Sequence, residues 1–190
     1  MKRKFLSILT AIAVAASLSA CQPSSSTELI DSVTTVVEEA AEPIEMKTIE
    51  PPEDGWTVEQ LNEVIYINGI NHDYPIIMHD LGDDFTADDN LVLYKNELAF
   101  GGSINDKGIY NSLMFSTAWN QSEIPNNMLI NINGITLGSD LQEISLKLGD
   151  TELITKSELT RIIYELENLT LIFIVNEEMK ISIITLSWEE

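Results

Sequence analysis

The tetrapeptide Ile67-Asn68-Gly69-Ile70, followed by Leu81-Gly82-Asp83, returns as Ile132-Asn133-Gly134-Ile135, followed by Leu148-Gly149-Asp150. The order is kept, and the spacing between the two occurrences is nearly the same for both motifs. Self-similarity at a fixed period marks an internal duplication, so the chain is constrained to two copies of one small plan that share a core. Each motif has a local meaning. Asn-Gly is the commonest dipeptide of a tight two-residue turn, and a Gly after the last periodic Leu ends a helix in the left-handed conformation.

The surrounding residues fill in the plan. Thr57 and Gln60 have capping-box spacing and open the folded part with a short helical turn. Residues 64–67 are β-branched and aromatic and predict a strand ending at Asn68-Gly69. Pro75 then suits a first helical turn, with Ile77 and Leu81 on one face and Gly82 at the end. In the second copy, residues 128–132 predict a strand and Ser139 with Gln142 a capping box. Leu141, Ile144 and Leu148 recur at helical spacing, and Glu143 and Lys147 pair across the outer face. Three strand-like runs follow each helix: 91–95, 98–104 and 109–118 in the first copy, 160–166, 169–175 and 180–188 in the second. The predicted fold class is therefore α+β, two tandem units of strand, short helix and antiparallel three-stranded meander, with the helices packed on one face of the sheet. The units span residues 56–120 and 121–190.

The residues before 56 read as an address and a spacer. Met1-Lys2-Arg3-Lys4 is a basic start, and residues 5–20 are the apolar run of a secretory signal. That run is too short for a membrane span, which needs about 20 apolar residues. Leu18-Ser19-Ala20-Cys21 resembles the lipobox of bacterial lipoproteins, in which the signal is cut before the cysteine and the thiol is acylated. That resemblance implies lipidation of Cys21, a membrane partner reached through two or three acyl chains, and an extracytoplasmic location at the cell surface or in the periplasm. Residues 21–55 carry the lipidated cysteine and a flexible, acidic, Pro-rich linker. Within it, residues 29–41 have the spacing of a marginal amphipathic helix.

A capped helix ending in Leu-Gly, preceded by Ile-Asn-Gly-Ile, followed by a meander and duplicated behind a lipobox, resembles the tandem fold of the beta-lactamase inhibitory proteins. The same plan is similar to the small accessory lipoproteins of outer-membrane assembly. The resemblance covers residues 56–190 and implies a protein-binding, non-catalytic role. Two features differ: with Cys21 as the sole cysteine no intramolecular disulfide forms, and Asp83 and Asp150 stand where the accessory lipoproteins have proline after Leu-Gly.

Charge narrows the partners. Residues 1–20 hold three of the ten basic residues and no acids, leaving 7 − 31 = −24 on the remainder. Such a surface repels nucleic acid and anionic lipid headgroups. The acids cluster at Asp80, Asp83, Asp84, Asp88 and Asp89, near His72 and His79, and offer an alternative reading as a Ca²⁺-binding loop of hard oxygen ligands, although the spacing fits no EF-hand. No Gly-x-Ser-x-Gly elbow or other nucleophile-base set is recognisable, so no enzyme and no cofactor are expected. The more informative feature is a strand apolar on both faces, since an antiparallel strand with one wet face alternates. Leu169, Leu171, Phe173 and Val175 are interleaved with Ile172 and Ile174, and Ile184, Leu186 and Trp188 with Ile181 and Ile183. The expected function is a membrane-anchored, non-catalytic envelope lipoprotein that binds another protein or peptide through a sheet face, with Ile172, Ile174, Ile184, Leu186 and Trp188 as the candidate contacts.

Overall fold

A computed structural model describes residues 45–156 and 159–189, with backbone alone for 152–156. The signal, Cys21 and the segment 29–41 lie outside these residues. The first elements in chain order are α1 (Val58–Asn62), β1 (Ile65–Ile67), β2 (Ile70–Asn71), a 3-10 turn (Met78–Leu81), β3 (Phe85–Asp88), β4 (Leu91–Tyr94), β5 (Glu97–Ile104) and β6 (Tyr110–Ser116). The remainder are α2 (Asn126–Leu129), β7 (Ile130–Ile132), β8 (Ile135–Thr136), α3 (Leu141–Leu148), β9 (Glu152–Lys156), β10 (Leu159–Leu166), β11 (Leu169–Val175) and β12 (Ile181–Trp188).

Both Asn-Gly dipeptides make the predicted turns. Asn68 and Gly69 have φ of 51° and 74°, and Asn133 and Gly134 have 52° and 80°. This is the doubly left-handed turn geometry that matches strand twist. The resulting hairpins meet through β1 and β7, Ile65 opposite Ile132, in a four-stranded sheet of order β2-β1-β7-β8. The longer strands form an eight-stranded sheet of order β3-β4-β5-β6-β12-β11-β10-β9, antiparallel throughout. The fold is α+β, mostly antiparallel sheet with few helices.

One face of the large sheet carries the core. Val92, Phe100, Leu113, Phe115, Phe173, Ile184 and Leu186 are fully buried, and they belong to one cluster with Ile65, Ile67, Ile130, Ile132, Ile144 and Leu148. The Phe100 and Phe115 rings meet at a tilt of 39°, with centroids 4.6 Å apart. The Tyr74 hydroxyl donates to the Leu186 carbonyl at 3.2 Å. That bond satisfies a buried polar group while tying the segment after β2 to the large sheet. Gly102 is required here: a Cβ would sit 2.8 Å from Cε1 of Tyr110.

Several local expectations give way. Residues 126–129 are the helix α2, because Pro125 opens a turn whose carbonyl accepts the Met128 and Leu129 amides, so only 130–132 remain as strand. The box on α3 uses Asp140 and Glu143; the Ser139 hydroxyl instead accepts the Thr136 amide. Strands β3 and β9 are hidden in the sequence by Asp, Glu and Lys, which suit edges rather than sheet centres. The linker reading also ends early. From residue 45 the chain is docked: the Ile49 amide donates to Asn133 Oδ1 and its carbonyl accepts from Asn133 Nδ2, both at 2.8 Å, and the Trp56 indole donates to the Leu148 carbonyl at 3.0 Å.

Candidate functional site

Residues paired across adjacent strands share a face, so the register of the large sheet sorts its side chains into two sets. The face opposite the core is crossed by a row Leu91, Gly101, Met114, Thr185, Ile172 and Ile163, running over β4, β5, β6, β12, β11 and β10. At ~4.8 Å per strand the row is about 24 Å long. Ser116, Ile183, Ile174 and Arg161 run beside it on one side. Ser103, Ser112, Ser187, Thr170 and Glu165 run along the other. Ile163, Ile172, Ile174 and Ile183 are partly exposed, and Leu91 is 42% exposed. This is the two-sidedness visible in the sequence: β11 puts Leu169, Leu171, Phe173 and Val175 into the core and Ile172 and Ile174 on the other side.

The five candidate contacts do not share that face. Ile172 and Ile174 lie on it. Ile184 and Leu186 are fully buried on the core side, paired with Phe173 and Phe115, and with Leu171 and Leu113. Trp188 also points to the core side, its ring centroid 5.8 Å from that of Tyr74. Alternation alone divides a strand into two faces without saying which is inside, and adjacent strands are out of phase unless their register is known. A bulge between Ile174 and Val175 complicates it further, pairing Val175 with Ile181 and turning Ile181 into the core while Ile183 stays outside.

Residues that the sequence did not single out enlarge the face. Gly101 has no side chain, and the Trp119 indole folds over it, its Cζ3 3.5 Å from where a Cβ would stand. With Leu91, Met114, Ser103 and Ser112 they line a hollow of about 330 Å³, and Trp119 remains 41% exposed. The Gly101-Gly102 pair within a strand was the available signal, since glycine in a strand interior marks a close approach.

The acidic cluster is spread out. Asp80 belongs to the 3-10 turn, Asp83 and Asp84 to the connection after it, Asp88 to the end of β3 and Asp89 to the next turn, all exposed. Among the described residues no group of three or more His, Cys, Asp or Glu side chains is placed to hold a metal ion, so these five carboxylates do not converge on a Ca²⁺. His79 and Asp83 line a hollow of about 430 Å³ with Ile77, Met78, Gly82, Phe85 and Gly108. His72 lies apart, buried; burial lowers its pKa against the opposing pull of Asp80.

The geometry thus defines an acidic α+β protein with one buried and one partly exposed face on a large antiparallel sheet. No protein-family model matches the chain, and no curated protein does. Among solved structures it is similar to a DUF4309 family protein (YjgB) from Bacillus subtilis subsp. subtilis str. 168, at 14% identity and a TM-score of 0.35, over 55% of this chain and 68% of that one.

Proposed function

We propose that the chain is a non-catalytic lipoprotein of the bacterial cell envelope, anchored through acyl groups on Cys21, that binds another protein or peptide through the outer face of its eight-stranded sheet. The observation that carries the reading is the partly exposed apolar surface of Ile163, Ile172, Ile174, Ile183 and Met114, continuous with the hollow beneath Trp119. An apolar core with a polar border is the composition of a recognition surface.

The scaffold of that face is a tandem duplication in this proposal, similar in plan to the beta-lactamase inhibitory proteins and the accessory lipoproteins of outer-membrane assembly, with the helices on the core side. Support comes from the strand orders. Adding six to each of β1 to β6 turns each sheet's order into its own reverse, the signature of a two-fold relation between halves. Turn chemistry agrees. In the β5–β6 turn Asn105 Oδ1 accepts the amides of Lys107 and Ile109; in the β11–β12 turn Asn176 Oδ1 accepts those of Glu178 and Lys180. The helical segments then dock on those turns in the same way, Met78 N to the Gly108 carbonyl and Leu141 N to the Met179 carbonyl.

The test places a photo-reactive benzophenone amino acid in the full-length protein in the cells that make it, at position 172 or, as control, at Leu146, which is 75% exposed on α3. A discrete adduct from 172 and none from 146 is the expected result; adducts from neither, or only from 146, reject the face. Changing Cys21 to Ser should release the protein from the membrane fraction, and retention would reject the anchor.

A further inference from the structure

The outer face carries one unexplained charge. Arg161 projects from β10 beside Ile174 across the ladder, with Ile163 two residues along on the same side. Its Nε is covered and has no hydrogen-bond acceptor. Covering that donor without a partner is costly, although the residue as a whole is partly exposed. Four lysines among the described residues behave differently. Lys47 lies against Glu63, and Lys95, Lys147 and Lys180 meet Glu123, Glu143 and Asp140 at 2.6, 2.8 and 2.8 Å. In a chain with 31 acids, Arg161 stands without an acidic partner among the described residues.

We infer that Arg161 anchors a carboxylate presented by an apolar segment of the partner protein, seated on Ile163, Ile172, Ile174 and Ile183. The inference rests on the binding face proposed above and supplies the chemistry of what it binds. A guanidinium matches a carboxylate in shape and charge, and the pairing strengthens as an apolar partner excludes water. Across the ladder the competing acid is Glu152, paired with Ile163 on β9, and a partner carboxylate must displace any pull it exerts. On the same strand and face the nearest acid is Glu165, four residues away. That is about 13 Å along a strand, beyond a Debye length of about 8 Å at physiological salt. One guanidinium without a second cation on its row fits a single negative charge better than a dianion such as a phosphomonoester. A second copy of this chain is disfavoured, because two bodies of formal charge −21 repel.

Arg161→Lys in the full-length protein provides the experiment. Its primary amine forms an amide with a contacting carboxylate when that carboxylate is activated by a carbodiimide, with loss of water to the reagent, and mass spectrometry locates the bond. The expected result is an isopeptide bond from position 161 to an Asp, Glu or terminal carboxyl of another protein. Arg161→Gln should reduce the photo-adduct from position 172 at least ~10-fold, the effect of one charge-assisted hydrogen bond. A bond to a carboxyl of this same chain, whether within one molecule or between two copies, overturns the inference. So does an unchanged photo-adduct in Arg161→Gln with no bond at 161; in that case the face stands and only its chemistry fails. Absence of the photo-adduct from position 172 in the chain that keeps Arg161 removes the face itself. Arg161→Met should unfold no earlier than the parent, which separates anchoring from a structural role.

Discussion

Two segments with the same motif order, 67–83 and 132–150, end up differently built, and the helix between the motifs shows why. In the second, Asp140 and Glu143 cap α3 reciprocally and eight residues are helical. In the first, Ile77 stands at the cap with no side-chain acceptor, and only Met78–Leu81 coil, as a 3-10 turn. Both close on a glycine of positive φ, Gly82 with 96° and Gly149 with 85°. The stretch from cap to last leucine runs from Ile77 to Leu81 in one copy and from Asp140 to Leu148 in the other, so the longer copy holds four more residues, one helical turn. The bridges at the caps differ in kind. Asp140 lies opposite Lys180 with an ion pair at 2.8 Å, whereas Ile77 lies opposite Ile109. A capped helix resists fraying; the uncapped turn persists through packing of Leu81, which is buried.

The largest expected difference between the halves is at the two turn asparagines. Asn133 is buried, and its side chain bonds both polar groups of Ile49 and the Lys147 carbonyl, the last at 2.6 Å. Asn68 makes no side-chain hydrogen bond among the described residues. Glycine keeps the left-handed turn at either site, so Asn133→Gly against Asn68→Gly isolates the side-chain bonds. We expect Asn133→Gly to cost about 3 kcal/mol, from buried groups left unpaired, and Asn68→Gly less than about 0.5 kcal/mol. Equal costs in urea denaturation would show that residues 45–51 add nothing to the fold.

That contrast also marks where the sequence was readable. Turns at Asn-Gly, the Thr57–Gln60 box and the limits of β11 followed from local chemistry, because dihedral preference and period act within a few residues. Asn133 as a clamp did not, since its partner Ile49 is remote in sequence and lies in a stretch that reads as linker. The outer face of the large sheet was half legible for the same reason: Ile172 and Ile174 alternate with core residues in their own strand, but the inward sense of Ile184 and Leu186 is fixed by pairing with β6 and β11. Arg161 is one arginine among many charges until its neighbours across the ladder are known.

Next in size is the cap. Asp140→Ala should destabilise by about 1 kcal/mol, and Ile77→Ser, which supplies an acceptor at the equivalent position, should stabilise by about 0.5 kcal/mol. If neither substitution moves the midpoint, helix length is set by packing alone. The acid limb of the stability curve sharpens the point. The Lys147 ammonium beside Glu143 holds that carboxyl below its ordinary range, so its contribution is present above the unfolded-state pKa and declines as pH falls through the folded one. Glu143→Gln should flatten that limb.

A similar effect of opposite sign separates the hairpin turns. Met179 holds φ of 61° where Gly108 has 79° in the matching turn. A side chain there is strained by about 1 kcal/mol, so Met179→Gly should raise the unfolding free energy by about that much and Gly108→Ala should lower it equally. Met179 is half exposed, so little burial is lost in the exchange.

The smallest predicted effect is a pH dependence confined to the first half. His72 and Leu137 each follow the second strand of their hairpin, β2 and β8, and each is 5% exposed. Where the second half buries a leucine, the first buries an imidazole. Burial lowers the pKa of His72 below its ordinary 6.5, so the folded chain favours the neutral ring while the unfolded chain protonates normally. Stability is therefore fully present above pH 6.5 and declines as pH falls from there to the folded-state pKa, where the unfolded state binds the extra proton. Asp80 and Asp73 oppose the shift and limit its size. His72→Leu, copying the second half, should leave stability at about pH 8 within about 1.5 kcal/mol of the parent. The same change should abolish the decline that begins at pH 6.5, leaving only the carboxylate limb at lower pH. A decline that survives His72→Leu would place the titrating group elsewhere, with Glu143 and the other carboxylates acting only at lower pH.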